Sequence, residues 1–397
     1  MAHYQVLIVG GGTAGITVAA MLRKHEDAPA VAIIEPSEKH YYQPLWTLVG
    51  AGVFNRDITV RQEQDYIPPG AEWIKDRVVS FDPSNSVLAG ASGKEYSYEV
   101  LILAAGIQLD WDKIPGLKES LGQPGSGVCC NYTYRTVENT FPYIKHLQKG
   151  TALFTHPSTP IKCGGGPLKI AFLASHYWQK AGVLKDINVK FIKGGPSIFA
   201  VKKYADSLTE VADGYSMECI WNTDLVELRP QHKEAIFRDQ KTGEEILEPY
   251  DMIHVTPPMS APDFIKASPL ANANGWVDVD MDTLQHNRFP NVFGLGDNSS
   301  LPTSKTGAAI RKQAPVVVEN IISLLRAEDL GKTYDGYTSC PLITGYGKLI
   351  LAEFDYDKQP MESFPFDQAQ ERYSMYALKA YGLPQIYWHG MLRGHEF

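Results

Sequence analysis

Two stretches of this chain hold cysteines in settings suited to chemistry. Residues 159–167 read TPIKCGGGP, which sets Cys163 between Lys162 and three glycines closed by Pro167. Pro167 fits the first turn of a helix running on through Leu168, Phe172 and Trp178, where its missing N–H is no loss. Cys163 is then expected just ahead of a helix N-terminus and beside the Lys162 ammonium, and both features favour the thiolate, the nucleophilic form of cysteine. Residues 333–345 read TYDGYTSCPLITG, with Cys340 directly before Pro341. A residue before proline is driven to extended backbone, so Cys340 is expected on an extended, exposed loop, a setting that suits exchange chemistry. Taken alone, each cysteine is compatible with a redox centre, a metal ligand or a small packed side chain.

The other three cysteines are Cys129 and Cys130, in GVCCNYTY, and Cys219, in SMECIW. Five scattered cysteines are too few for a secreted disulfide framework. No CxxC or Cys/His spacing points to zinc, so no metal is expected. Cys219 reads as a strand-core residue. For Cys129 and Cys130 ordinary burial is expected, with a sulfur relay as the alternative.

The elements that must position this chemistry begin at the N-terminus. Residues 4–9, YQVLIV, form a β-run that enters Gly10-Gly11-Gly12-Thr13-Ala14-Gly15, a helical stretch Ile16–His25 and a second strand Val31–Ile34 ending on Glu35. This is GxGxxG in the context a dinucleotide site requires. Gly10 makes the tight turn, Gly12 lets backbone approach a pyrophosphate, and Gly15 lets helix and strand pack. The helix N-terminus, at Thr13 and Ala14, offers N–H groups to phosphate, and Glu35 accepts from ribose hydroxyls. An apolar strand Val100–Ala104 followed by Ala105-Gly106, and residues 291–297, NVFGLGD, ending in Gly296-Asp297, resemble two motifs of flavoproteins with two dinucleotide domains. That resemblance implies FAD, with Asp297 holding its ribityl chain and a following helix, from about Ser304 to Leu325, aiming its positive end at the flavin. The alternative for Asp297 is a cap on that helix. Gln43 and Lys305, in YYQPLW and PTSKT, complete the expected cofactor contacts.

Flavoproteins of this architecture carry a second nucleotide turn about 140 residues after the first. Here the strand ALFT is followed by HPSTPIKCGGGPLK, stiffened by prolines 157, 160 and 167, with its glycines after the cysteine. The next strand, Ile187–Ile192, ends in Lys193-Gly194-Gly195, with no acid for a nicotinamide ribose. The site reads as dismantled, so electrons are expected to reach the flavin by another route. The expected fold is α/β, with two Rossmann-like domains of the glutathione-reductase type, the second lacking a working nicotinamide site, and a C-terminal region. Its divisions are 1–115 with 285–330 for FAD, 116–284 for the domain carrying Cys163, and 331–397 for the C-terminal region.

The stretches EPSEKHYYQPLWTLVGAG (35–52), TPIKCGGGPLKI (159–170), LPTSKT (301–306), YDGYTSCPLITGY (334–346) and LAEFDY (351–356) resemble the sulfide:quinone oxidoreductases, in particular the branch with the mitochondrial enzymes and their bacterial relatives. The resemblance spans nearly the whole chain. It implies that Cys163 and Cys340 form a disulfide, or a sulfur-bridged pair, on one face of the flavin. It further implies that sulfide attacks this bridge, leaving a persulfide on Cys340 and the thiolate on Cys163. Two electrons then pass through FAD to a quinone, ubiquinone or menaquinone. The sulfane sulfur passes to a small acceptor such as a thiol, sulfite or cyanide. Lys305 is expected to stabilise charge near the flavin or quinone. The alternatives are a flavocytochrome-type sulfide dehydrogenase and an NADH:quinone reductase.

Composition agrees with a folded oxidoreductase. The chain has 397 residues, long for one core, with 44% hydrophobic and 21% charged residues. A net charge of −8 argues against nucleic acid as a partner. No apolar run approaches a membrane span. The N-terminus, entering a strand at once, leaves no room for an export signal. The C-terminal stretch 372–397, rich in Tyr, Met, Leu and Trp and broken at Pro384, suits either a platform dipping into a bilayer interface or a helix pair packed on the FAD domain or on a dimer mate. Relatives commonly run on past this segment, so either a shortened chain or weaker membrane attachment is expected. The expected placement is peripheral, on the cytoplasmic face of a bacterial membrane, with a homodimer compatible.

Overall fold

The computed structural model describes residues 2–396. The N-terminal apolar run becomes β1 (Ala2–Val9), which leads through the glycine turn into α1 (Thr13–Lys24) and β2 (Val31–Ile34). There follow β3 (Ala71–Ile74), the antiparallel pair β4 (Val78–Asp82) and β5 (Val87–Gly90), and β6 (Glu95–Leu103). They assemble in the order β3-β2-β1-β6-β5-β4. β1 is parallel to both neighbours, with Val6 opposite Val31 and Val100. Val6–Val9 and Val100–Leu103 are buried on both faces, as strands covered by helices on both sides must be.

A second, five-stranded parallel sheet holds β7 (Val128–Cys129), β8 (Gly150–His156), β9 (Ile187–Lys193), β10 (Glu218–Trp221) and β11 (Met252–His254), in the order β7-β11-β8-β9-β10. Its crossover helix, α2 (Gly166–Lys180), joins β8 to β9 and buries Leu168, Phe172 and Trp178. The chain then returns to the first sheet, where β12 (Val292–Gly294) pairs with β6. Beyond it lie α3 (Gly307–Leu325) and the antiparallel ribbon β13 (Thr338–Gly345) and β14 (Lys348–Phe354). The last elements are α4 (Tyr373–Ala377) and α5 (Leu383–His389), joined by a wide turn at Leu378–Gly382.

Four local expectations are corrected. The helix expected from Ser304 starts at Gly307, because Lys305 is drawn into extended pairing with Lys162. Thr306 caps that helix, its hydroxyl accepting from the Ala309 N–H, so Asp297 is not a cap. Cys340 is extended as Pro341 requires, but it lies inside β13 and only 1% of it is exposed. The C-terminal stretch does not break at Pro384, which occupies the first turn of α5 where proline is tolerated; the irregularity is the wide turn before it.

That stretch packs inward. Met375, Tyr376, Tyr387, Trp388, Met391 and Leu392 are buried, and the Tyr387 ring packs at a tilt against Tyr42 and His40. Burying each such side chain stabilises by roughly 1.5–3 kcal/mol, so the segment is held on the dinucleotide domain by its apolar face. Among its described large apolar residues, only Tyr373 and Tyr381 are strongly exposed.

Candidate active site

Cys163 lies in the turn between β8 and α2. Its N–H donates to the Lys305 carbonyl at 2.9 Å and its carbonyl accepts from Gly166 at 2.7 Å. Its φ is +59°, a left-handed conformation that costs a non-glycine residue about 1–2 kcal/mol. A turn held at both ends and strained in the middle fixes where the sulfur points. Cys340 comes from β13 across the N-terminus of α2, and the two Sγ atoms lie 3.9 Å apart. Neither is disulfide-bonded here; a disulfide needs about 2.05 Å, so closing the bond brings the two sulfurs together from 3.9 Å. Gly165 makes room for this approach, since a Cβ there would lie 2.8 Å from the Cys340 sulfur.

The two cysteines are electrostatically unequal. The Cys340 thiol donating to its neighbour, followed by the Lys169 ammonium 3.0 Å from Cys163 Sγ, holds Cys163 well below the usual thiol range. The same pairing, together with burial, pushes Cys340 well above it. The pairing thus favours the thiolate on Cys163 and the thiol on Cys340. A second buried lysine, Lys379 from the turn after α4, donates to the Pro44 carbonyl at 2.8 Å. Burial and repulsion from Lys169 bring it down to about 7, with the cysteines opposing.

Lys169 takes the place expected for Lys162. The Lys162 ammonium points the other way, over the Trp46 ring at 5.9 Å. Its pKa is lowered by burial, opposed chiefly by Asp297. Lys169 and Lys379 do carry a sequence signal: each is a lysine within an apolar helical run, PLKIAFL and YALKAY, and a lysine buried on such a face needs a partner.

The dinucleotide residues gather at the ends of β1, β2, β6 and β12. Gly10 has φ +107°, and a Cβ there would lie 2.5 Å from the Ala104 carbonyl oxygen; one on Gly15 would lie 1.9 Å from the Gly10 oxygen. Gly12 caps α1 without a side-chain partner and faces open space, so the N–H groups that follow at Thr13 and Ala14 are available to an anion. Glu35 accepts from the Gly11 and Ser37 N–H groups at 2.8 and 2.7 Å. Ala105 and Gly106 follow β6, and a Cβ on Gly106 would meet nothing. Gly296 and Asp297 follow β12 in a tight turn at the N-terminal end of α3. The Asp297 carboxylate receives no hydrogen bond from the described residues; burial raises its pKa, and Lys305 and Lys162 oppose that. Lys305 donates to the Ser299 carbonyl at 3.1 Å and lies 4.1 Å from the Trp276 ring centre, with burial bringing it to about 8. Gln43 is exposed on a one-turn helix. The open loop, the ribose acid and the unpartnered aspartate fit FAD.

The second turn is folded on itself. His156 Nε2 hydrogen-bonds the Gly164 carbonyl at 3.1 Å, and burial brings the imidazole to about 4. Asp224 accepts from the Ser158 N–H and hydroxyl at 2.8 and 2.6 Å. A Cβ on Gly194, just past β9, would collide with both residues.

The remaining cysteines are packed. Cys129 donates weakly to the Ile253 carbonyl, and burial drives its thiol far up. Cys130 accepts from the Tyr132 N–H, and burial pushes it to about 12. Cys219 is half-buried in β10, its thiol raised to about 11 by burial. Among the described residues no cluster of His, Cys, Asp and Glu could hold a metal ion.

A profile of the pyridine nucleotide-disulphide oxidoreductases matches residues 4–315. The chain is similar to a mouse protein named "Sulfide:quinone oxidoreductase, mitochondrial", with 49% identity over 99% of this chain and 87% of that one. A Dictyostelium discoideum protein of the same name is 47% identical over the same shares. The structure of the sulfide:quinone oxidoreductase from Aquifex aeolicus superposes with a TM-score of 0.83 at 18% identity, covering 100% of this chain and 92% of that one; it shares the fold.

Proposed function

The chain belongs to the sulfide:quinone oxidoreductases, with the pyridine nucleotide-disulphide oxidoreductase fold, and from that premise we propose how its residues divide the work. The protein oxidises sulfide and reduces a quinone. FAD, held by the Gly10–Gly15 loop, Glu35, Ala105, Gly106, Gly296 and Asp297, supplies the two-electron carrier between them. Lys305 steadies the charge around Asp297.

The cysteine pair performs the sulfur chemistry. In its oxidised form HS⁻ attacks Cys340 Sγ, the Cys163–Cys340 bond breaks, Cys340 keeps the new sulfur as a persulfide, and Cys163 leaves as the thiolate. The bond electrons go to Cys163, which Lys169 and the N-terminus of α2 stabilise. A thiol, sulfite or cyanide then removes the outer sulfur from Cys340. The observation that carries this reading is the asymmetry of the pair, with Lys169 bonded to Cys163. Mixing the oxidised protein with sulfide without an acceptor, then mapping persulfide by mass spectrometry, tests it. The added sulfur is expected on Cys340; its accumulation on Cys163 reverses the assignment.

The folded-back second turn supports entry of electrons through this pair and disfavours NADH as donor. We place the divisions of the chain near 115, 284 and 330. Attachment to a membrane surface, in bacteria on the cytoplasmic face, rests on the exposed Tyr373 and Tyr381 rather than on the whole C-terminal stretch. No helix among the described residues is long and apolar enough to cross a membrane. A homodimer is compatible with this arrangement.

A further inference from the structure

A buried chain of hydrogen bonds starts and ends at the glycine loop. Thr13 Oγ1 lies 2.9 Å from Tyr387 Oη. Tyr387 Oη lies 2.5 Å from His40 Nε2, and His40 Nδ1 lies 3.1 Å from Glu63 Oε2. The other carboxylate oxygen, Glu63 Oε1, is buried without a partner, and a Cβ on Gly11 would come within 2.5 Å of it. His40, Glu63 and Tyr387 are 3%, 1% and 6% exposed. Thr13 and Gly11 belong to the dinucleotide loop, Tyr387 to α5. No step proposed above uses this chain.

Its chemistry permits two directions. The Tyr387 phenol is held protonated by burial, and with one hydrogen it donates to only one of its two partners. When it donates to His40, the His40 Nδ1–H donates to Glu63, the pair carries one negative charge, and the Thr13 hydrogen is spent on Tyr387. When it donates to Thr13, His40 Nε2–H donates to the phenol and a further proton is shared between Nδ1 and Glu63. The pair is then neutral, and the Thr13 hydrogen is free to meet an anion. A diphosphate on the loop accepts hydrogen bonds and repels negative charge, so it selects the second state.

We propose that Thr13, Tyr387, His40 and Glu63 form a proton-linked clasp: a diphosphate on the Gly10–Gly15 loop fixes the direction of the chain, draws one proton from solvent onto the Glu63–His40 pair, and locks α5 onto the loop. This rests on the reading that FAD binds there. The charged and titratable groups around the clasp are Glu35, which adds a little to the burial that raises Glu63 against the opposing pull of His40, Tyr42 and Tyr66 against Tyr387 and His40, Arg61 over Trp388, and Arg393 over Tyr66. None of them interrupts the chain. Because Lys379 and Tyr387 share the C-terminal segment, the clasp also ties cofactor occupancy to the lysine that faces the cysteine pair.

The test is FAD binding to the apoprotein by calorimetry in buffers of different ionisation enthalpy, with proteolysis of residues 373–393 followed in parallel. Wild type is expected to take up about one proton per flavin over a pH window in which affinity falls about tenfold per pH unit, and flavin is expected to protect the segment. Tyr387→Phe keeps the ring and removes the relay, so proton uptake and protection are both lost. Thr13→Val does the same from the other end, and the double variant is no worse than either single one. Tight flavin binding by wild type with no proton uptake at any pH, or uptake undiminished in both variants, overturns the clasp alone. Failure of the wild-type chain to bind flavin overturns the cofactor assignment beneath it.

Discussion

Replacing Lys169 by methionine tests the electrostatic basis of the cysteine pair. The Nζ–Sγ separation is 3.0 Å between two buried groups. At an effective dielectric of about 20, the bare attraction is of order 5 kcal/mol, much of it offset by desolvating both charges. The net value of a charged hydrogen bond is about 1.5–3 kcal/mol, and one pKa unit corresponds to about 1.4 kcal/mol. Lys169→Met is therefore expected to cost the Cys163 thiolate about 1.5–3 kcal/mol of stabilisation and to move its pKa upward, and Lys169→Arg to do so by much less. The assay is the rate of iodoacetamide alkylation against pH in the reduced protein, with the modified residue identified by mass spectrometry. The direction follows from the thiolate being the reactive form: a raised pKa moves the reactive range upward in pH. Lys162→Met is expected to leave the Cys163 titration in place, since that ammonium faces Trp46 and Asp297. If Lys162→Met shifts Cys163 and Lys169→Met does not, or if Cys340 is alkylated first at neutral pH, the reasoning fails.

Lys379 should add an inflection near pH 7 to the same alkylation profile, because its ammonium favours the Cys163 thiolate below that pH and is lost above it; Lys379→Met removes the inflection. Gly165→Ala places a methyl 2.8 Å from Cys340 Sγ and 2.3 Å from Leu342 Cδ2. It should destabilise by about 1–3 kcal/mol and slow closure of the disulfide, read by thermal melting and by thiol titration after oxidation. Gly10→Ala puts a side chain against the Ala104 carbonyl at φ +107° and should abolish FAD retention through gel filtration.

Much of this was legible where neighbours in sequence are neighbours in space. The glycine loop, its flanking strands and Glu35 form one local unit, and the spacing of Gly10, Gly12 and Gly15 states its own geometry. Pro167 marked the start of α2 for the same reason. The partner of Cys163 was misread because adjacency along the chain is not adjacency of side chains: Lys162 is drawn into pairing with Lys305, whereas Lys169 reaches the sulfur from within α2. Cys340 was expected on the surface because Pro341 reports backbone shape and not burial. The apolar run around it, packed beneath α2, decides the burial. The clasp joins residues as far apart as Thr13 and Tyr387, and no local pattern announces such a contact.

The central claim is that sulfide delivers electrons to the flavin only through the Cys163–Cys340 pair. Its most direct test is anaerobic rapid mixing of sulfide, and separately NADH, with the oxidised FAD-loaded protein and with its Cys163→Ser and Cys340→Ser variants, following the flavin absorbance. Sulfide should bleach the wild type while NADH does not, and neither variant should respond to sulfide although both retain flavin. Bleaching by NADH and not by sulfide, or wild-type rates in either serine variant, would contradict the account.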